Sequence, residues 1–141
     1  MFITMCVIAY NEENAIDRIL GDIAAQDYNH NDMEVVLVDG ASTDNTKKHL
    51  DNFKEKYKDD FRRVVVLDNH KRTLPSGWNV ALREYKGDAI IKVDAHAEIP
   101  KDFVSKNVRI LPRSLFIYNH RSLSTAYILS ALKNTHIFAQ V

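Results

Sequence analysis

Apolar positions along the chain gather into four short unbroken runs, each followed by a polar segment and then by apolar residues at helical spacing. The first run, Ile3–Ala9, is rich in β-branched residues and predicts a strand buried on both faces. Beyond it Ile16, Ile19, Leu20, Ile23 and Ala24 recur on one helical face. Asn11 or Asn14 is expected to cap that helix, with Glu12 and Glu13 near its positive end. Residues 34–39 (Glu-Val-Val-Leu-Val-Asp) form the second run, ended by Gly40-Ala41-Ser42-Thr43-Asp44, and Leu50, Phe53 and Tyr57 mark the next helix face. The third run, residues 63–67, leads through a polar loop with Pro75 and Gly77 to a short helix with Trp78, Ala81, Leu82 and Tyr85 on one side. Gly87-Asp88 breaks that helix before the fourth run, residues 89–93. This alternation predicts an α/β fold: a mainly parallel sheet flanked by helices, with ligands in the crevice at the carboxyl ends of the strands.

The polar residues that follow the strands are therefore the candidates for chemistry: Tyr10-Asn11-Glu12, residues 39–44, the loop 71–79, and Asp94 to His96. Each group has an ordinary structural role open to it. Asn11 and Glu12 suit a helix cap, Ser42 and Asp44 the next one, Asp39 a turn, and Lys71 and Arg72 a solvated surface. Their expected convergence on one sheet edge favours a site. Asp94 and His96 would point the same way if the strand stays extended through them. A carboxylate oxygen and an imidazole nitrogen suit Mn2+ better than Ca2+ or a structural zinc, with water or substrate phosphates completing the shell.

At 141 residues the chain has the length of one domain, and its 19 Lys and Arg balance 19 Asp and Glu, which argues against a general nucleic-acid binder. The balance is uneven along the chain. Every acidic residue lies at or before Asp102, whereas Lys106, Arg109, Arg113, Arg121 and Lys133 follow it. The single cysteine, Cys6, sits inside the first apolar run and reads as an inert core thiol, so a reducing cytosol is the expected compartment. The amino terminus carries no secretory pattern, and no apolar stretch approaches the about 20 residues needed to span a bilayer.

Four segments together resemble a family 2 glycosyltransferase of the GT-A fold, a nucleotide-diphosphosugar transferase. They are Val7-Ile8-Ala9-Tyr10-Asn11-Glu12-Glu13, the stretch from Val35 to Thr46, Gly77-Trp78-Asn79 with Gly87-Asp88, and Val93-Asp94-Ala95-His96-Ala97. The resemblance spans about residues 2–108, and the Asp-Ala-His form is similar to the branch acting in succinoglycan-type exopolysaccharide synthesis. His96 replaces the second acid of the family's usual Asp-x-Asp, and Ala9 stands where a proline is common.

The resemblance implies a nucleotide-sugar-binding half over residues 1–108, followed by an atypical basic tail over 109–141. It implies that Tyr10 and Asp39 hold the nucleoside, a ring face for the base and a carboxylate for a base imide or ribose hydroxyl. Glu12 falls near the same pocket, Lys71 or Arg72 would neutralise the diphosphate, and Asn79 joins the donor-binding set. Asp94 would lie near ribose and metal, with His96 on an Mn2+ or Mg2+ ion that bridges the phosphates. The implied partners are a nucleotide-diphosphosugar, a UDP-sugar first, and a saccharide or lipid-linked acceptor.

An inverting transferase also needs a base for the acceptor's hydroxyl proton, and no carboxylate side chain follows Asp102; His120 and His136 are poor substitutes in a basic stretch. The expectation is a truncated or frame-shifted transferase with the donor half present and the acceptor half missing. The alternative is a non-catalytic nucleotide-sugar-binding remnant. In the tail, Leu123, Tyr127 and Ala131 with Ile128, Leu129 and Leu132 also suit an amphipathic helix, packed on the core or lying on an anionic membrane at its inner face. A domain cut after its fourth strand would expose a sheet edge open to homodimer pairing. A dinucleotide-dependent dehydrogenase is excluded, because Ala9-Tyr10-Asn11-Glu12 lacks the glycine turn, and a nucleotidyltransferase lacks its basic phosphate loop.

Overall fold

The structure, a computed structural model, describes residues 1–110, 127–132 and 135–140. Its elements are β1 (Ile3–Ala9), α1 (Ile16–Ala24), β2 (Met33–Asp39), α2 (Thr46–Tyr57), β3 (Arg63–Asp68), α3 (Leu74–Glu84), β4 (Ala89–Asp94), α4 (Phe103–Ile110), β5 (Tyr127–Leu132) and β6 (Thr135–Gln140). They form one sheet in the order β3-β2-β1-β4-β5-β6, with β1 to β4 parallel and β5 and β6 antiparallel. The predicted α/β architecture is the one observed.

Burial of both faces explains the unbroken apolar runs. Met5, Val7, Val35, Leu37 and Ile91 pack with Ile16, Ile19, Ile23, Leu50 and Val104 on one side. Cys6, Val36, Val38 and Ile90 pack with Ala81 of α3 on the other. Burial pushes the Cys6 thiol up to about 12, so it is inert at neutral pH.

Fully buried Glu34 anchors the amino ends of the strands. It accepts from the Thr4 hydroxyl (2.5 Å), from the N–H groups of Lys86 and Gly87, and from the Arg63 guanidinium at 2.9 Å. Arg63 also pairs with Glu84.

Three expectations are corrected. Neither Asn11 nor Asn14 caps α1, which starts at Ile16 after Ala15; Asn11 stands at φ 54° and spends its side-chain oxygen on the Thr43 N–H instead. Residues 127–132 form a strand rather than an amphipathic helix, a run too short for periodicity to separate the two. The outer edge of β4, expected to be open for self-pairing, is taken by β5. Arg113, Arg121, Leu123, Lys133 and His120 lie outside the described residues. Among the described residues no helix is long and apolar enough to cross a membrane.

Candidate functional site

The chain leaves β1 toward β2 and β3 on one side and returns to β4 on the other, so the strand order reverses between β1 and β4. At such a reversal the outgoing loops diverge and leave a crevice. The cleft there has a volume of about 290 Å³, on the scale of small-molecule sites, and opens between the carboxyl ends of β1 and β4. Tyr10, Glu12, Gly40, Arg72, Asp94 and His96 line it, each from a segment that follows a strand, and Asn69, Thr73 and Leu74 complete one wall.

Hydrogen bonds between the first two loops fix their shape. The Asn11 N–H donates to Ser42 Oγ (3.0 Å), the Glu12 N–H to Thr46 Oγ1 (2.8 Å) and the Glu13 N–H to Asp44 Oδ2 (3.2 Å). Gly40 eases the close approach where they meet, since a side chain there would put its Cβ 3.0 Å from Tyr10 Cβ and 3.2 Å from the Ala9 carbonyl. Tyr10, 48% exposed, turns its ring to solvent at the mouth. An apolar ring left in water at a cleft mouth is available for stacking.

Asp39 is buried at the end of β2, and its carboxylate accepts the Ser42 N–H at 3.2 and 3.4 Å. It stands beside the cleft-lining Gly40 without lining the cleft itself. Arg72 enters the cleft from a left-handed backbone conformation (φ 59°). Lys71 is exposed outside the lining, and so is Asn79, midway along α3 on its solvent side.

Strand β4 ends at Asp94, where a turn closed by the Ala97 N–H on the Asp94 carbonyl (3.0 Å) takes over. The extended geometry expected to align Asp94 with His96 therefore stops at Asp94, two residues before His96. The turn nonetheless delivers both side chains to the cleft. Lys92, buried on β4, donates its ammonium to Asp94 Oδ1. His96 is exposed, and its Nδ1 lies 3.4 Å from Glu12 Oε1 across the cleft. Lys92 was missed from sequence, although a lone cation inside the run Ala-Ile-Ile-Lys-Val-Asp is itself a signal. Asp94 and His96 offer one oxygen and one nitrogen donor, a set consistent with Mn2+ once water and phosphate oxygens fill the remaining positions. Among the described residues no cluster of three or more His, Cys, Asp or Glu side chains forms an all-protein metal cage.

Comparison with known proteins gives this cleft a context. The profile described as "Glycosyl transferase family 2" matches residues 4–118, ten residues past the point where the sequence resemblance fades. A curated relative from Methanococcus voltae, "Dolichyl N-acetyl-alpha-D-glucosaminyl phosphate 3-beta-D-2,3-diacetamido-2,3-dideoxy-beta-D-glucuronosyltransferase", is 33% identical over 79% of this chain and 34% of its own length. The mannosyltransferase from Pyrobaculum calidifontis, solved in complex with GDP-Man and Mn2+, superposes with a TM-score of 0.74 at 30% identity, over 83% of this chain and 34% of that one. S. aureus TarS 1-349 in complex with UDP-GlcNAc gives 0.63 at 28% identity, over 79% and 31%. The chain spans between 14% and 34% of the length of the curated relatives it matches. A parallel sheet with its cleft at the strand reversal and a profile match across most of the sequence lead to one assignment: the chain belongs to glycosyl transferase family 2.

Proposed function

We propose that the chain binds a nucleotide-diphosphosugar, a UDP-sugar first, and is the donor-binding part of a transferase acting on a saccharide or lipid-linked acceptor in exopolysaccharide or other cell-surface polysaccharide synthesis. One observation carries this reading: Tyr10, Glu12, Arg72, Asp94 and His96 arrive from separate strand-end segments and line a single cleft. Residues 1–108 hold that donor site, and 109–141 are an appended basic segment. The complexes of the P. calidifontis and S. aureus proteins, one with GDP-Man and Mn2+ and one with UDP-GlcNAc, support a nucleotide-sugar ligand.

In this reading the base stacks on the Tyr10 ring. Asp39 accepts a base imide or ribose hydroxyl with lone pairs that the Ser42 N–H leaves free. Arg72 presents a fork to the diphosphate, with Lys71 and Asn79 at the periphery of the same loop and helix. Asp94 and His96 are the residues that would hold a divalent cation. When bound, such a cation offsets the charge that grows on the departing diphosphate, more in the transition state than in the ground state. Transfer also requires a base for the acceptor proton, and the role proposed for these residues is donor binding.

Calorimetric titration with UDP- and GDP-sugars, with and without Mn2+, tests the reading on the parent, Asp94→Ala, His96→Ala and the α2 surface variant Lys48→Ala. Binding is expected to depend on metal, to weaken in the first two variants and to stay unchanged in the third. Equal affinity in all four proteins, or indifference to metal, refutes the site.

A further inference from the structure

Exposed histidines on turns sample several ring orientations and both neutral tautomers, and a histidine that must present one nitrogen to a ligand needs a partner for the other. His96 has a partner within reach. Its Nδ1 faces Glu12 Oε1 at 3.4 Å, a contact between residues 84 positions apart that joins the segment after β1 to the turn after β4. An ionised carboxylate can only accept, so this bond exists only with the proton on Nδ1. The Nε2 lone pair is then the one left for the cleft.

Glu12 is itself held still. Its N–H donates to Thr46 Oγ1 at 2.8 Å, and its carbonyl accepts the N–H groups of Ala15 and Ile16, both at 2.9 Å. The Glu12 side chain is 29% exposed, against 69% for His96. The acid thus stands on a hydrogen-bonded backbone and is the less exposed of the two, and the imidazole is the more exposed. A length of 3.4 Å lies at the long end for a hydrogen bond. Asp94 beside it has its Oδ1 engaged by Lys92.

We infer that Glu12 is a positioning residue for His96: its carboxylate fixes the imidazole as the Nδ1–H tautomer and aims Nε2 into the cleft as the nitrogen donor for a divalent cation. This rests on the donor-site reading above and assigns Glu12 to the histidine rather than to the nucleotide. All of the backbone bonds of Glu12 survive truncation of its side chain, so the fold is retained in the variants.

The test combines two measurements on the parent, Glu12→Ala, Glu12→Gln and His96→Ala. The first is calorimetric titration of Mn2+ in the presence of UDP. The second is the ring-nitrogen spectrum of 15N-histidine-labelled, metal-free protein, in which His96 is picked out of the six histidines by its loss in His96→Ala. Glu12→Ala is expected to weaken Mn2+ binding roughly 10- to 100-fold and to shift His96 from the Nδ1–H form to the mixture seen in free imidazole. Glu12→Gln keeps an accepting oxygen and is expected to lose less. An unchanged tautomer in Glu12→Ala overturns the inference, whether or not affinity falls. Mn2+ binding that is unaffected by His96→Ala defeats the donor-site metal reading instead, even where Glu12→Ala still moves the tautomer.

Discussion

Replacing Glu34 by alanine is expected to be the most damaging single change remote from the cleft. The substitution removes a carboxylate with no solvent exposure and withdraws the acceptor from the Thr4 hydroxyl and the Lys86 N–H. Gly87 keeps Thr4 Oγ1 as a second acceptor at 3.1 Å, and Arg63 keeps Glu84. Two stranded donors at about 1–3 kcal/mol each give about 2–6 kcal/mol. A loss near 4 kcal/mol is a large part of the about 5–15 kcal/mol that holds a domain together. Urea unfolding followed through the single tryptophan, Trp78 on α3, reads it directly, and the midpoint should fall by about 2 M. Because Glu34 lies at the amino ends of the strands, UDP affinity in the cold, without urea, should match the parent. A stability loss below about 1 kcal/mol, or weakened binding by folded variant, refutes this division between clamp and cleft.

Arg72→Gly separates strain from recognition. Glycine relieves the left-handed backbone (φ 59°), so the melting temperature should hold or rise, while loss of the guanidinium weakens nucleotide-diphosphate binding by roughly tenfold or more. A parallel fall in both would show that the side chain packs rather than binds. Asp44 contributes to acid sensitivity. Burial raises its carboxyl, but hydrogen bonds from Thr46 and the Glu13 N–H outweigh this and hold it below the usual carboxylate range. A lowered folded value means that its contribution is complete above about pH 4 and is lost as pH falls through that value. Asp44→Asn should therefore flatten stability against pH in acid, measured by thermal melts from pH 6 to 2. Cys6, with its thiol pushed up to about 12, should resist a thiol reagent at pH 8 until urea unfolds the chain.

The strands were legible because parallel strands covered on both faces must be apolar throughout, and runs such as Ile3–Ala9 have little else to become. Helix starts were harder. Asn11 looks like a cap in one dimension, but its oxygen goes to Thr43, 32 residues away, a long-range choice that no local pattern encodes. The cleft was legible as a set of post-strand residues, since topology alone brings strand ends together. What escaped was charge within apolar runs. Glu34 and Lys92 each sit in a strand whose other residues are nearly all apolar, and their partners, Arg63 among them, come from other strands or lie at the strand's own end. Lys71 and Asn79 show the opposite limit: they follow β3 in sequence, yet only Arg72 of that basic pair turns into the cleft.

The loop after β3 is built differently from its neighbours. The first two loops are stitched to each other, so a change of length in either would distort both. The third closes mostly on itself: Asn69 Nδ2 donates to the Thr73 carbonyl at 2.9 Å, Ser76 Oγ donates to Asn69 Oδ1 at 2.6 Å, and its base is tied to β2 by the Asn69 N–H on the Asp39 carbonyl. A loop braced from within can change at its exposed tip, residues 70–72, with less consequence for the other walls of the cleft than a change in either of the first two.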